Sequence, residues 1–276
     1  MGGIVWLASY PKSGNTWIRT FLHNLHFDPA KPFDINMISS LTYGDGGKTW
    51  YEKAGGKSFD EFTPQQVARL TPRVHMAFAN MRPGAVFVKT HSAVGSLHNV
   101  PLITMECTIG AVYIVRNPLD IAVSMASHYD MDLDESIDML NNSRAVARGS
   151  EGKVAQIYGS WTSHIGSWQE QRSAKMLTIR YEDLLAKPRK TFGALTHFLQ
   201  LKHSRKQLEK AIKFSSFDTL KKQELEKGFK EKPNDNDQFF RVGKAGQWKE
   251  VLSDSQVDRI VTCHHDMMKE FGYLPK

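Results

Sequence analysis

Four short apolar runs punctuate the chain, at residues 4–9, 85–90, 111–115 and 176–180. Each is bounded by turn or polar residues, and none alternates strictly between apolar and polar. That is the pattern of strands buried on both faces of a parallel sheet. Between and after these runs the apolar positions recur with helical spacing, which predicts helices over 16–25, 64–70, 73–81, 118–129, 133–147, 160–172, 188–199, 204–214 and 253–271. Two of them carry start signals: Asn117-Pro118 reads as an N-cap and first helical residue, and Ser253-x-x-Gln256 as a capping box. Strands alternating with helices predict an α/β fold with one central parallel sheet flanked by helices. No repeat, low-complexity linker or composition break divides the chain, so residues 1–276 are expected to form a single domain. Two stretches lack periodicity: 43–58, with five glycines, and 228–246, polar and centred on Pro233-Asn-Asp-Asn-Asp237. Both are expected as irregular loops of the kind that often cover binding sites.

Composition narrows the classes without choosing one. A chain of 276 residues, 41% hydrophobic and 24% charged, has the make-up of a soluble globular protein with a sizeable core. No run approaches the ~18 consecutive apolar residues of a membrane span, so no membrane partner is expected. The N-terminus lacks the basic and apolar regions of a signal peptide. The two cysteines, Cys107 and Cys263, form neither a metal-ligand spacing nor a disulfide framework, which fits a reducing cytoplasm. A net charge of +7 favours an anionic ligand, and nucleic acid is one such class. The cations are dispersed, however, apart from residues 202–232. That run also holds Glu209, Glu224, Glu226 and Glu231, as solvated helix faces do.

The chemistry starts at the first strand. The apolar run ends before Pro11, and Lys12-Ser13-Gly14-Asn15-Thr16 leads into the amphipathic stretch that begins at Trp17. A strand, a tight loop and a helix N-terminus in that order hold an anion. The first helical N–H groups and the positive end of the helix dipole point outward together. Gly14 permits close backbone approach and Lys12 adds a full charge. The nucleotide pattern G-x-x-x-x-G-K-[ST] is not met, because no Gly stands five residues before Gly14 and the Lys precedes the Ser-Gly.

The order Tyr-Pro-Lys-Ser-Gly-Asn-Thr-Trp resembles the phosphosulfate loop of the cytosolic-type sulfotransferases, which use 3′-phosphoadenosine 5′-phosphosulfate (PAPS) as sulfuryl donor and release 3′-phosphoadenosine 5′-phosphate (PAP). Further segments carry the same resemblance in chain order. Arg116-Asn-Pro-Leu-Asp-Ile-Ala-Val-Ser124 is similar to the family segment that binds the 3′-phosphate. Arg116 stands at a helix start, and Ser124 lies two turns along on roughly the same face. Lys89-Thr90-His91 closes the second strand and resembles the family's Lys-Thr-His, whose His is the catalytic base. An imidazole titrating near ~6.5 suits that task. Tyr181, in Arg180-Tyr-Glu-Asp-Leu184, and Ser215 and Phe217, in Phe214-Ser-Ser-Phe217, match adenine contacts. Trp17 matches the ring that stacks on the purine. Arg241 and Gly243 match the C-terminal phosphate loop, where Val242 replaces a Lys and Gln247 an Asp; Lys244 is the nearest substitute cation.

The resemblance, spanning 6–248, implies a nucleoside-kinase-like P-loop architecture and PAPS-dependent sulfuryl transfer to a hydroxyl, or an amine, of a small molecule, without a metal. It implies that Lys12 stabilises the leaving phosphate, that residues 13–16 hold the 5′-phosphosulfate, that Lys89 assists near the transferred group, and that Ser124 restrains Lys12 before the acceptor arrives. His75, Phe78, His128 and Tyr129 are expected around the acceptor, since they flank the crevice of the second and third strands. Where many members carry the dimer motif Lys-x-x-x-Thr-Val-x-x-x-Glu, residues 249–258 have Asp254 in place of the Val, so no dimer is inferred. On the residues alone two rivals stay open: a P-loop-like nucleotide kinase, and a non-enzymatic basic nucleic-acid binder.

Overall fold

The computed structural model of the chain describes residues 2–171, 174–232 and 238–275. Its strands are β1 (Gly3–Ser9), β2 (Thr42–Gly44), β3 (Ala85–Thr90), β4 (Ser96–Leu97), β5 (Val100–Pro101), β6 (Thr108–Val115), β7 (Val146–Ala147), β8 (Gln156–Ile157) and β9 (Lys175–Arg180). Five of them form a central parallel sheet in the order β2-β3-β1-β6-β9. The helices are α1 (Asn15–Phe27), α2 (Lys48–Gly55), α3 (Pro64–Ala79), α4 (Pro118–Tyr129), α5 (Leu133–Asn141), α6 (Trp161–Gln169), α7 (Tyr181–Ala186), α8 (Pro188–Phe198), α9 (Arg205–Phe214), α10 (Phe217–Lys227), α11 (Trp248–Val251) and α12 (Asp254–Phe271). Among the described residues no helix is long and apolar enough to cross a membrane.

The chain packs into two compact units, each assembled from three separated stretches. The first comprises Met1–Tyr10, Thr42–Tyr113 and Met139–Thr178; the second comprises Pro11–Leu41, Ile114–Asp138 and Ile179–Lys276. Because the chain passes between them repeatedly, no composition break marks the division.

The first unit is built on β1, whose seven residues are all buried, as a central parallel strand requires. β1 runs parallel to β3 from Gly3↔Ala85 to Ala8↔Thr90, and β2 pairs with the far edge of β3. Its core is Ile4, Trp6, Leu7, Val86, Val88 and Val112, with Trp161 and Trp168 from α6. In the second unit Phe21 of α1 stacks on Phe192 of α8 at 4.1 Å between ring centroids, with Ile18, Leu22, Leu195 and Ala211 buried there too. A smaller cluster joins Ile35, Leu220, Phe229 and Phe240. Arg19, almost wholly buried, makes a two-pronged ion pair with Glu231 at 2.7 and 2.8 Å, the fork geometry that suits a guanidinium.

Several elements differ from the sequence expectation for identifiable reasons. Residues 64–70 and 73–81 are one helix, α3, with Pro72 inside it. Leu70, Val74, His75 and Phe78 are buried on that helix, and this burial outweighs the hydrogen bond a proline removes. The helix expected over 133–147 stops at Asn141, where the Asn142 side chain captures the Arg144 N–H and the chain turns into β7. The glycine-rich 43–58 stretch is not a plain loop: it supplies β2 and α2. In the 228–246 stretch, residues 233–237 lie outside the described residues.

Candidate active site

Two regions carry the expected chemistry, one in each unit. In the second unit the chain leaves β1 through Pro11 and turns sharply. Lys12 has φ +63° and Gly14 φ +98°, so two left-handed residues flank Ser13. A lysine in that conformation is unusual, and alternating turns of this kind aim successive backbone N–H groups into one concavity. Gly14 is the N-cap of α1 without a side-chain acceptor, and no acidic residue stands in the first turn. Nothing on α1 therefore neutralises the positive end of its dipole.

Arg116 ties this loop to its surroundings. Its Nη1 donates to the Lys12 carbonyl at 2.8 Å, and its guanidinium lies 4.5 Å over the Tyr181 ring. Nη2 reaches the Lys244 carbonyl at 3.5 Å. Tyr181 meets Trp17 edge to face at 5.8 Å, and a Cβ on Gly14 would come within 2.7 Å of the Tyr181 ring. Gly243, at φ +66°, is pressed against Phe217, whose ring a Cβ would meet at 2.1 Å. Asp120, buried on α4, accepts from the N–H groups of Gly246 and Trp248 at 2.7 and 3.2 Å and so anchors the C-terminal loop. Lys12 Nζ rests 4.3 Å over the ring of Phe239, and Glu224 holds that segment by accepting the Phe239 and Phe240 N–H groups. Ser13 Oγ, Trp17 Nε1 and Arg116 Nε are buried with no hydrogen-bond partner among the described residues. Each such group costs about 1–3 kcal/mol when unmet. An anion with several acceptor oxygens, joined to a flat ring, would satisfy this set.

In the first unit β3 delivers Lys89, Thr90 and His91. His91 Nδ1 lies 2.8 Å from the carbonyl of Ser9, and Ser9 Oγ is 3.2 Å from the same nitrogen. A carbonyl only accepts, so Nδ1 carries the ring proton and Nε2 keeps its lone pair. Burial, then the positive charge of Lys89, holds the imidazole well below its ordinary value, so it is neutral at pH 7. The backbone beyond it is gripped by α6. His164 Nε2 bonds the His91 carbonyl at 3.0 Å, Trp168 Nε1 donates to the Ser92 carbonyl at 3.1 Å, and Ser167 Oγ accepts the Val94 N–H at 3.0 Å. Thr90 Oγ1 takes the Ser92 N–H at 3.0 Å and is bonded to Asp45, whose carboxyl burial raises to about 6.

The sulfotransferase domain family matches residues 4–272, nearly the whole chain. The chain belongs to the sulfotransferase family. Cytosolic sulfotransferase 15 of Arabidopsis thaliana is 30% identical over 283 residues, an alignment covering 96% of this chain and 72% of that one. Sulfotransferase 1B1 of Mus musculus is 25% identical, with 96% and 83% covered. Among solved structures, retinol dehydratase in complex with androsterone and PAP superposes with a TM-score of 0.64 at 20% identity, over 97% of this chain and 81% of that one. A mouse sulfotransferase complexed with PAP gives 0.60 at 20% identity, over 97% and 85%. These two likenesses establish the fold.

Within this sulfotransferase the expected donor residues Lys12, Gly14, Trp17, Arg116 and Tyr181 form one connected set, and Phe217 packs against Gly243. Ser13, Asn15 and Thr16 are buried at the start of α1. Ser124 is half-buried on α4, and Arg241 is exposed, its carbonyl accepting from Lys221 Nζ at 3.2 Å. The Ser215 hydroxyl spends its proton on the Ala211 carbonyl at 2.8 Å, leaving only lone pairs for a ligand. Of the four expected acceptor residues, His75 and Phe78 are closed off in the core of the first unit. His75 stands edge-on to Trp6 and bonds Thr104 Oγ1 at 2.9 Å, and burial lowers its imidazole to about 3. His128 and Tyr129 are half-buried at the end of α4, and His128 meets Phe239 at 5.4 Å. Asp120, Glu224, Asp45, Tyr113 and His164 were not among the expected residues. Only Asp120 had a local signal, its place in the Arg-Asn-Pro-Leu-Asp segment.

Proposed function

We propose that this sulfotransferase moves a sulfuryl group from PAPS to a hydroxyl of a small-molecule acceptor, with His91 as general base and Lys12 as the cation at the leaving phosphate. The single observation that carries the donor assignment is Arg116, which bonds the Lys12 loop and lies over Tyr181 while its Nε–H has no hydrogen-bond partner among the described residues. The chemistry of the cradle fits a nucleotide bearing two separated anionic groups and a purine. The N-terminus of α1, with residues 13–16, would hold the 5′ side. Arg116, with Ser124, Arg241 and Gly243, would hold the 3′-phosphate, and Trp17, Tyr181, Ser215 and Phe217 would line the base. PAPS supplies the activated sulfuryl group. His91 Nε2 takes the acceptor proton, which its neutral state and fixed Nδ1–H allow. Lys12 offsets the charge that develops as the phosphate leaves, and charge matched to the transition state raises kcat. Lys89 adds charge on the His91 side.

His128 and Tyr129 remain acceptor-side candidates, whereas the closed positions of His75 and Phe78 favour a structural role. No group of His, Cys, Asp and Glu among the described residues is arranged to hold a metal. The kinship to Arabidopsis cytosolic sulfotransferase 15 supports a cytoplasmic setting. Calorimetry with PAP, ATP and a generic oligonucleotide at two salt concentrations tests the reading. PAP should bind in the micromolar range and the others far more weakly. Comparable ATP binding would favour a kinase instead, and salt-sensitive oligonucleotide binding a nucleic-acid partner.

A further inference from the structure

We infer that His164 is a positioning residue for His91: it fixes the backbone that carries the base and, through that backbone, the tautomer of the base itself. The inference rests on reading His91 as the general base. His164 sits on α6 and is wholly buried. Its Nε2 lies 3.0 Å from the His91 carbonyl oxygen, which can only accept, so Nε2 bears the proton. Burial lowers this imidazole to about 4, so the ring is neutral and Nδ1 keeps a lone pair. The Tyr113 hydroxyl, 2.7 Å away and buried, donates into that lone pair. Burial pushes the phenol well above its ordinary value, so Tyr113 remains a donor. The result is a one-way chain of donors, from Tyr113 to His164 to the His91 carbonyl.

Neither neighbouring contact replaces it. Ser167 and Trp168, three and four residues on and hence on the same helix face, hold Val94 and Ser92. Among the hydrogen bonds described His164 alone holds the His91 carbonyl, while the N–H of the same peptide, from Ser92, goes to Thr90 Oγ1 at 3.0 Å. At the other end His91 Nδ1 donates to the Ser9 carbonyl. With its carbonyl released, the 91–92 peptide is held only by the Thr90 contact to its N–H and can tilt about it, the Nδ1–H bond to Ser9 lengthens, and the proton redistributes between the two ring nitrogens. Nε2 then ceases to be the sole basic nitrogen. A side chain that merely filled space would lower stability without touching that tautomer.

The test is a long-range proton–nitrogen NMR correlation on the full chain labelled with nitrogen-15 histidine at neutral pH, with no acceptor present. In the wild type His91 should show a single Nδ1–H tautomer and His164 a single Nε2–H tautomer. His164→Leu should leave His91 a mixture of both, and His164→Gln, whose amide restores a donor near the Nε2 position, should return it to one. Tyr113→Phe is the milder variant if His164→Leu does not fold. It should unlock the His164 tautomer first and mix that of His91 with it. A folded His164→Leu or Tyr113→Phe protein whose His91 keeps its single tautomer overturns the inference, as does failure of His164→Gln to restore what His164→Leu disturbs. Because the readout is the ring and not turnover, the base role of His91 stands or falls separately, on the activity of His91→Ala.

Discussion

Around Lys12, in the second unit, buried donors are left over. The Ser13 hydroxyl, the Trp17 indole and the Arg116 Nε–H have no protein partner among the described residues, and the backbone is twisted into left-handed turns at Lys12 and Gly14. Around His91, in the first unit, the same kinds of group are matched. The ring Nδ1 goes to Ser9, the His91 carbonyl to His164, the Ser92 carbonyl to Trp168, and the Ser92 N–H to Thr90. Under the proposed roles, the contrast follows from what each region must do. A ligand cradle keeps unmet donors and tolerates their cost, because the ligand meets them. A general base needs one basic atom and a ring that does not move, so its supports are closed off inside the protein. Local strain and unmet polarity mark the first, whereas saturation marks the second.

Removing the proposed base should have the largest effect. His91→Ala is expected to lower kcat by about 10²–10⁴ and to leave PAP affinity nearly unchanged, since no donor contact is lost. Steady-state kinetics beside PAP calorimetry measure both, and a variant that keeps more than about a tenth of wild-type kcat removes His91 from the mechanism. Lys12→Met comes next, with a loss of about 10² in kcat and a smaller loss in PAP affinity, because its charge matters most in the transition state. A loss confined to PAP affinity would make Lys12 an anchor and blur the contrast between the two regions.

Arg116→Ala should cost PAP about 1.5–3 kcal/mol, the scale of a charge-assisted hydrogen bond. Arg116 also bonds the Lys12 carbonyl, so adenosine 5′-phosphate should weaken too, but by less. The difference between the two ligands reports the 3′-phosphate contact, and the shared part reports the loop. Equal weakening by calorimetry would reduce Arg116 to a brace for Lys12.

The loop around Lys12 was more legible in the sequence than the surroundings of His91, for a physical reason. Lys12, Gly14 and Trp17 are neighbours in the chain, and a strand–loop–helix junction follows from local patterning. The same holds for α4, whose Asn117-Pro118 start is where the spacing put it. His91 was legible as a strand end, yet His164 stands 73 residues beyond it and 51 beyond Tyr113. No local pattern links them. His75 and Phe78 have the chemistry of a ligand pocket, but their positions on α3 face the core, a fact that depends on which way the helix packs. The two interleaved units and the helix that runs through Pro72 are likewise consequences of tertiary burial, which overrides local propensity.

The smallest expected effect is a near-absence of response to pH. An imidazole with the ordinary value of about 6.5 is roughly three-quarters protonated at pH 6, so base-limited turnover would fall about fourfold between pH 8 and 6. His91 is held well below that value by burial and by Lys89, so it remains unprotonated through this interval. Its contribution to kcat/KM should change by less than about twofold, with the acid limb displaced to lower pH. Asp45 is the group to separate from it. Burial raises its carboxyl to about 6, and it is bonded to Thr90, whose hydroxyl oxygen takes the Ser92 N–H. Asp45 is therefore charged at pH 7 and gains a proton as the pH falls through about 6. A limb near that value that vanishes in Asp45→Asn belongs to the carboxyl and leaves the reading of His91 intact. A limb at the ordinary imidazole value in both proteins would mean that His91 is solvated in the working enzyme, and that the closed support seen around it is not what sets its basicity.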